Sequence, residues 1–312
     1  MKRFVAKHSP LFILAGLSLV LAALSPEFRS VNNLQDVASR TAVIGIIAVG
    51  ELLVILTAGI DLSVGRLAGL CGVVACMSIK ELHLPVPLGV LVGAGLGFTC
   101  GAINGLLMTK GRIPAFIVTL GMMMVAQGAT LILSGGVPVF GLPDSFAWLG
   151  GGKGWWVPVL TTLSIAILFA VLLSMTRFGR ALFAIGGNLQ AARLSGIKVD
   201  RMRIAAYAIC GMLAGFAGVM LASRTSVASP NAGEMYELDA IAGCVIGGAS
   251  LMGGEGGAIA ALAGALIMMV LRNFCTLEDI AVYWQQVFVG VLVVALVFYD
   301  NFRKRRAGLL ND

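Results

Sequence analysis

Residues 37–57 read VASRTAVIGIIAVGELLVILT, and residues 62–79 read LSVGRLAGLCGVVACMSI. The two runs are almost wholly apolar, and a short polar break separates them. A helix that crosses the hydrocarbon core of a bilayer needs about 20 such residues. The pattern therefore predicts a pair of transmembrane helices joined by the break.

Composition extends this interpretation to the whole chain. Of 312 residues, 59% are hydrophobic and 12% are charged, and the mean hydropathy is +0.97. A soluble fold of this length cannot bury so much apolar surface, whereas a bilayer solvates it directly. We predict an all-α membrane protein with one transmembrane domain over residues 1–312.

The chain contains about ten candidate spans, counted as apolar runs of membrane-crossing type. The eighth and ninth are short and rich in glycine, so each can be tilted, re-entrant or longer than its apolar part. The runs cover 10–24, 37–57, 62–79, 85–108, 114–133, 157–175, 204–222, 238–250, 258–271 and 282–299.

Basic residues set the orientation. With the N-terminus inside, fifteen lysines and arginines fall on inner segments and six on outer segments, as the positive-inside rule expects. The inner set includes Lys2, Arg3, Lys7 and the cluster Arg303–Arg306; an even number of spans keeps both ends cytoplasmic. The basic start and the run to Leu24 also resemble a signal peptide, but cleavage would change this parity, so we expect an uncleaved first helix.

Glycines predict how the helices pack. Gly89, Gly93, Gly97, Gly101 and Gly105 recur every four residues and so lie on one face of the fourth run. Such a face lets another helix backbone approach closely. Gly211 with Gly215, and Gly243 with Gly247, repeat the spacing.

The sequence lacks the motifs of several catalytic and binding functions. The string GGKG at 151–154 has neither the spacing nor the Ser/Thr of a phosphate-binding loop, and the chain has only two histidines. The six cysteines form no metal-ligand spacing, and we interpret them as small buried apolar residues. The basic clusters lack the aromatic residues of a nucleic-acid surface. We expect no catalytic site, no metal and no cofactor of the chain's own.

Polar residues interrupt the second and third runs. Glu51 lies inside the second run, where a charge is costly, and Arg66 is a possible partner. A structural Glu–Arg pair, a protonated Glu51 and a proton-carrying site remain open. In the break, Asp61 and Ser63 are suited to cap the third helix by accepting backbone N–H bonds.

The break is also where the sequence resembles a known family. Together with five other stretches it resembles the membrane permeases of ribose-type ABC sugar importers. The stretches are GIDLSVG at 59–65, IPAFIVTLG at 113–121, FGR at 178–180, IGGN at 185–188, RLSGI at 193–197 and YELDAIA at 236–242. Relatives commonly carry a small polar residue in place of Arg66 and an uncharged one in place of Glu51.

The resemblance implies that the chain lies in a bacterial inner membrane and works with several partners. It implies a second permease copy or a sister permease, a cytoplasmic ABC ATPase that binds ATP, and a periplasmic sugar-binding protein. It also implies a coupling helix in the cytoplasmic loop at about 177–203. Independently, Asn188 is suited to cap a short helix running to Ser195, and Gly196 to end it.

The ATPase-coupling candidates are Arg180, Asn188, Arg193, Leu194, Ser195 and Gly196. A helix lying on anionic lipid headgroups is the alternative for this loop.

The translocation-path candidates are Glu51, Asp61, Ser63, Asn104, Phe116 and Thr119. We expect import of a ribose-like pentose or a hexose; a furanosyl signalling molecule, a nucleoside or a branched-chain amino acid is the alternative cargo. A proton-coupled secondary transporter using Glu51 is a further alternative.

Overall fold

The computed structural model describes residues 14–152 and 154–306, and within them the chain is built from helices. No strand forms in this part of the chain apart from a single bridge between Val139 and Ala228. Lys2, Arg3, Lys7, the first residues of the first run and Lys153 lie outside the described residues. The side chains of Arg303–Arg306 also lie outside them. The all-helical prediction is confirmed.

Each of the ten apolar runs falls on a helix, and two further short helices follow the sixth run. In chain order the helices are α1 (Leu14–Leu24), α2 (Val31–Ile55), α3 (Val64–Lys80), α4 (Val86–Thr109), α5 (Ala115–Ser134), α6 (Trp156–Met175), α7 (Arg177–Gly187), α8 (Leu189–Leu194), α9 (Val199–Thr225), α10 (Tyr236–Ile246), α11 (Ala258–Leu277) and α12 (Val282–Arg306). Two short 3₁₀ turns lie at Glu27–Arg29 and Asp144–Trp148.

Six of the described helices are long and apolar enough to cross a membrane: α2, α4, α5, α6, α9 and α11. The ninth run is therefore longer than its apolar part, because α11 continues to Leu277. In contrast, α10 has 11 residues, short of a full crossing, and α3 has 17, at the lower limit for one. Both begin just after an irregular segment.

Helices α2 and α9 form the centre of the bundle. In α2, 89% of the most apolar window is buried, and in α9 the figure is 72%, against 22% in α5. A helix that is apolar on all sides and enclosed by others is a core element, whereas α4 and α5 expose apolar side chains outward. The cysteines join this interior: five of the six are buried and all are unpaired.

The glycine face of α4 packs directly against α9. A Cβ at Gly97 would overlap the carbonyl oxygen of Gly211, and one at Gly101 would overlap that of Tyr207. Gly215 meets Gly93 in the same way. Close backbone contact of this kind requires residues without side chains. The predicted use of the α4 glycines is confirmed, and Gly243 repeats it against Gly264 of α11.

Candidate functional site

The break between α2 and α3 doubles back on itself. The Thr57 hydroxyl donates to the Val54 carbonyl oxygen at 2.9 Å, and Ala58 adopts a left-handed backbone with φ +59°. The chain then returns toward α2, where the backbone N–H of Asp61 donates to Glu51 Oε1 at 3.0 Å. A carboxylate inside α2 therefore supplies the hydrogen bond that the broken backbone lacks.

A buried polar network surrounds this turn. Asp61 Oδ1 accepts the backbone N–H of Ser63 at 2.9 Å and also its hydroxyl. From α4, Asn104 Nδ2 donates to Ser63 Oγ at 3.0 Å and approaches Asp61 Oδ2 at 3.5 Å. Glu51, Asp61, Ser63 and Asn104 are all fully buried, so four of the six translocation-path candidates lie together.

This network corrects the predicted capping of α3. Ser63 occupies the N-cap position, but its side chain makes no capping bond. Asp61 instead accepts the N–H of Ser63 itself, in the local turn that Asp side chains favour. The two residues are therefore tied to each other and to Asn104 rather than to the first turn of α3.

Of the alternatives left open for Glu51, the pair with Arg66 does not form. Glu51 Oε2 accepts a weak hydrogen bond from Cys210 Sγ at 3.8 Å, so its partners are neutral. Arg66 instead pairs with Glu234, with Nη2 at 3.4 Å from Oε2. The two side chains diverge because Arg66 lies beyond the turn, in the first turn of α3.

The other two path candidates lie on α5, outside the network. The Thr119 hydroxyl is buried and donates to the Ala115 carbonyl oxygen at 3.0 Å within its own helix. Phe116 exposes 58% of its surface on the outside of the bundle. Sequence reasoning missed Cys210 and Tyr207 of α9, which border the break; the hydroxyl of Tyr207 is packed against Gly59.

A cavity of about 1130 Å³, here named the basic cavity, opens at one end of the bundle. Three segments line it: the break at 57–59, the α4–α5 connection at 108–115 and residues 193 and 198–203 before and within α9. Its basic members are Lys110, Arg112, Arg193, Lys198, Arg201 and Arg203. The single acid is Asp200, with a carboxylate 3.7 Å from Lys110 Nζ.

Arg203 links the basic cavity to the break. Its Nη2 donates to the carbonyl oxygen of Thr57 at 3.0 Å, at the point where α2 has ended. That oxygen would otherwise lack a helical partner, so Arg203 closes the end of α2. Sequence reasoning did not predict this contact, since nothing local connects residues 57 and 203.

The segment with the short helices is built as the sequence predicts. Asn188 Oδ1 accepts the backbone N–H of Ala191 at 2.9 Å and caps α8, and Gly196 follows α8 with φ +80°. Arg180 is exposed and donates to the Met175 carbonyl oxygen at 3.3 Å. Arg193 lines the basic cavity, and Ser195 is exposed at the end of α8.

Helix α7 connects this segment to the break by direct contact. Gly186 lies against the carbonyl oxygen of Leu56 and against Gly254, whose N–H donates to that same oxygen at 3.1 Å. Leu194, at the far side of α8, exposes 90% of its surface. Helix α7 thus rests against the break, and the capped helix α8 that follows it projects an apolar side chain.

Six helices of membrane-crossing length and close glycine packing between them are the features of a multi-pass membrane protein. Within the described residues no group of three or more His, Cys, Asp and Glu is arranged to hold a metal. The chain belongs to the family of permease components of the branched-chain amino acid transport system type, whose profile matches residues 33–297.

Two ribose permeases and a xylose permease are similar to the chain over most of its length. It is 41% identical to the ribose import permease protein RbsC of Escherichia coli, over 96% of this chain and 95% of the relative. It is 40% identical to RbsC of Bacillus subtilis, over 96% and 94%. It is 35% identical to the xylose transport system permease protein XylH of Escherichia coli, over 90% and 87%. No solved structure shows a significant match.

These similarities confirm the family predicted from the six motifs. The chain is a transport subunit of an importer and not an enzyme, and it resides in the membrane through several spans. In systems of this type, ATP is used by a separate ATPase subunit.

Proposed function

We propose that this chain forms the transmembrane path of an ABC importer that moves a neutral monosaccharide, a ribose-like pentose or a hexose, across the bacterial inner membrane. The observation that carries the proposal is the similarity to ribose permeases over nearly the full chain. The similarity to a xylose permease agrees with a sugar cargo and leaves the particular sugar open.

The proposed topology has ten spans with both termini cytoplasmic. A helix lies within the described part of each of the ten apolar runs, and three segments that the charge count assigns to the inside line one basic cavity. Because α10 is too short to cross alone and α3 is at the lower limit, the irregular segments before them complete their crossings. Backbone at membrane depth is tolerated there because it is buried in protein.

The proposed ATPase contact is α8 with its flanking residues. Leu194 exposes 90% of its surface beside Arg193, which suits an apolar pocket with an acidic rim on a partner. Movement of α8 would reach the break through α7, because Gly186 touches the Leu56 carbonyl oxygen. The motor and the membrane path are thereby connected by packed backbone rather than by a flexible loop.

The break itself is the proposed moving part of the path. A buried network of four polar side chains joins α2, α3 and α4 at one place, and such networks favour discrete arrangements over continuous deformation. A second permease chain completes the path, and a secreted binding protein selects the cargo.

The test is uptake in proteoliposomes. The chain is reconstituted with the ATPase and the secreted binding protein encoded beside it, and uptake of radiolabelled ribose, xylose and leucine is measured with and without internal ATP. We expect ATP-dependent uptake of a sugar and none of leucine. Accumulation of sugar by the chain alone, without the ATPase, would instead identify a secondary transporter. Uptake of leucine but of neither sugar would identify the cargo as an amino acid instead of a sugar.

A further inference from the structure

A second polar cluster lies where the start of α3 meets the segment before α10. Arg66 in the first turn of α3 faces Glu234, and Glu237 in the first turn of α10 lies against Gly65. We name Arg66, Glu234 and Glu237 the charged triad. None of its members takes part in the buried network around Asp61.

The hydrogen-bonding capacity of the charged triad is not used up within the described part of the chain. Arg66 Nη1 and Glu237 Oε2 are both shielded from solvent, and neither has a hydrogen-bond partner. The single ion pair, from Arg66 Nη2 to Glu234 Oε2, is long at 3.4 Å. An unpartnered donor and an unpartnered acceptor of opposite charge thus lie within one cluster, which is costly unless something completes them.

Close backbone packing holds the triad in place. A Cβ at Gly65 would overlap the carbonyl oxygen of Gly233, and one at Gly69 would approach that of Ala232. Gly233 has φ +79° and Met235 has φ +66°, so the segment turns sharply into α10. The backbone positions of Glu234 and Glu237 are therefore fixed, and only their side chains can change partners.

Two other partly buried ion pairs differ from this one. Arg224 Nη2 reaches Asp36 Oδ1 at 2.6 Å, and Arg272 Nε reaches Asp239 Oδ1 at 2.9 Å. These are short, direct pairs, and each carboxylate has a strong charge-assisted bond. Arg272 Nη2 also lacks a hydrogen-bond partner, but among the ion pairs of the described residues the triad alone leaves both a donor and a carboxylate oxygen without one.

We propose that the charged triad is a substrate-binding subsite that receives two neighbouring hydroxyl groups of the sugar. A hydroxyl both donates and accepts, so one hydroxyl can accept from Arg66 Nη1 while donating to a carboxylate of Glu234 or Glu237. An adjacent hydroxyl can donate to the second carboxylate. A neutral polyol satisfies the open atoms without adding charge at membrane depth.

Access and affinity agree with this role. The Arg66 side chain is 18% exposed and that of Glu234 is 53% exposed, so a hydroxyl would reach the shielded Arg66 Nη1 and Glu237 Oε2 from the side of Glu234, whose exposed side chain would move aside. A site with few contacts binds weakly, as a translocation path requires, because cargo must also leave it. The subsite rests on the proposed sugar cargo and gives the permease a share in selecting it.

The test is saturation-transfer-difference NMR on the purified full chain in lipid nanodiscs, titrated separately with ribose, xylose and leucine. We expect saturation transfer to at least one sugar and none to leucine. In Arg66→Gln and Glu237→Gln the apparent Kd for the sugar should rise about tenfold, the loss expected when a charged hydrogen-bonding partner is removed. Arg40→Gln, which removes an exposed ion pair elsewhere, should leave the Kd unchanged.

Two further measurements separate binding from folding and from the cargo proposal. The unfolding temperature of each variant shows whether it is folded. Arg66→Lys retains the charge but loses the planar fork that holds Nη1 and Nη2 in fixed directions, so it should bind weakly while folding normally. Unchanged sugar Kd values in folded Arg66→Gln and Glu237→Gln would overturn the subsite while ATP-dependent uptake still supported the importer. Absence of sugar uptake by the complete importer would instead overturn the function.

Discussion

The backbone N–H of Asp61 donates a hydrogen bond to Glu51 Oε1 across 3.0 Å, so a side chain inside α2 fixes the backbone where α2 and α3 are broken. Because both residues are fully buried, water cannot replace either partner. The shape of the break therefore requires a side-chain oxygen at position 51 that accepts this hydrogen bond. A charge on that side chain is not required.

Glu51→Gln is expected to preserve uptake at every pH. The glutamine side chain keeps an oxygen that can accept the Asp61 N–H but cannot carry a proton in exchange. Glu51→Leu, in contrast, leaves that buried N–H unpaired, which costs about 1–3 kcal/mol of unfolding free energy. Uptake assays and thermal unfolding distinguish the two.

The control for both is Glu278→Gln, since Glu278 is exposed after α11. Loss of uptake at every pH in a folded Glu51→Gln protein would contradict this prediction and favour a proton-carrying role for Glu51.

Gly101→Ala is expected to destabilise the bundle. The added methyl would overlap the carbonyl oxygen of Tyr207 in α9, and separating two packed backbones costs about 1–3 kcal/mol. Gly95→Ala on the same helix is the matched control, because nothing lies within 4 Å of the added atom. Thermal unfolding in detergent measures both. Equal unfolding temperatures for the two variants would show that α4 and α9 are not packed as described.

Leu194→Asp is expected to separate ATP hydrolysis from sugar uptake. The side chain is 90% exposed, so the protein should fold with an unchanged unfolding temperature, while the apolar contact proposed for the ATPase is lost. Parallel assays of ATP hydrolysis and uptake in the reconstituted importer provide the measurement. Leu82→Asp is the control, since Leu82 is 70% exposed between α3 and α4. Normal coupling in Leu194→Asp would exclude α8 as the contact.

The single variant Arg272→Met is expected to be less stable than the double variant that combines Arg272→Met with Asp239→Asn. Arg272 Nε lies 2.9 Å from Asp239, whose side chain is 1% exposed, and an unpaired buried charge costs about 3–5 kcal/mol. Removing the charge of Asp239 as well should restore much of this loss. Unfolding temperatures of the two variants make the comparison. A double variant no more stable than Arg272→Met would show that the carboxylate is not charged in the fold.

The amino-acid sequence by itself determined the helical membrane class, the glycine face of α4 and the family. These properties depend on local composition and fixed spacing, and periodicity along one helix does not require knowledge of its neighbours. The cap of α8 by Asn188 and its end at Gly196 also followed from local hydrogen bonding and backbone preference.

Only the tertiary structure decided which polar side chains meet. Glu51 and Arg66 are fifteen positions apart and of opposite charge, yet the turn at Ala58 returns the backbone of Asp61 to Glu51 and directs Arg66 to Glu234. Likewise Asn104 reaches Ser63, and Arg203 reaches Thr57, across 41 and 146 positions. Such pairings depend on how broken helices pack against α4 and α9, because a buried polar group takes whichever partner the packing brings within hydrogen-bond distance.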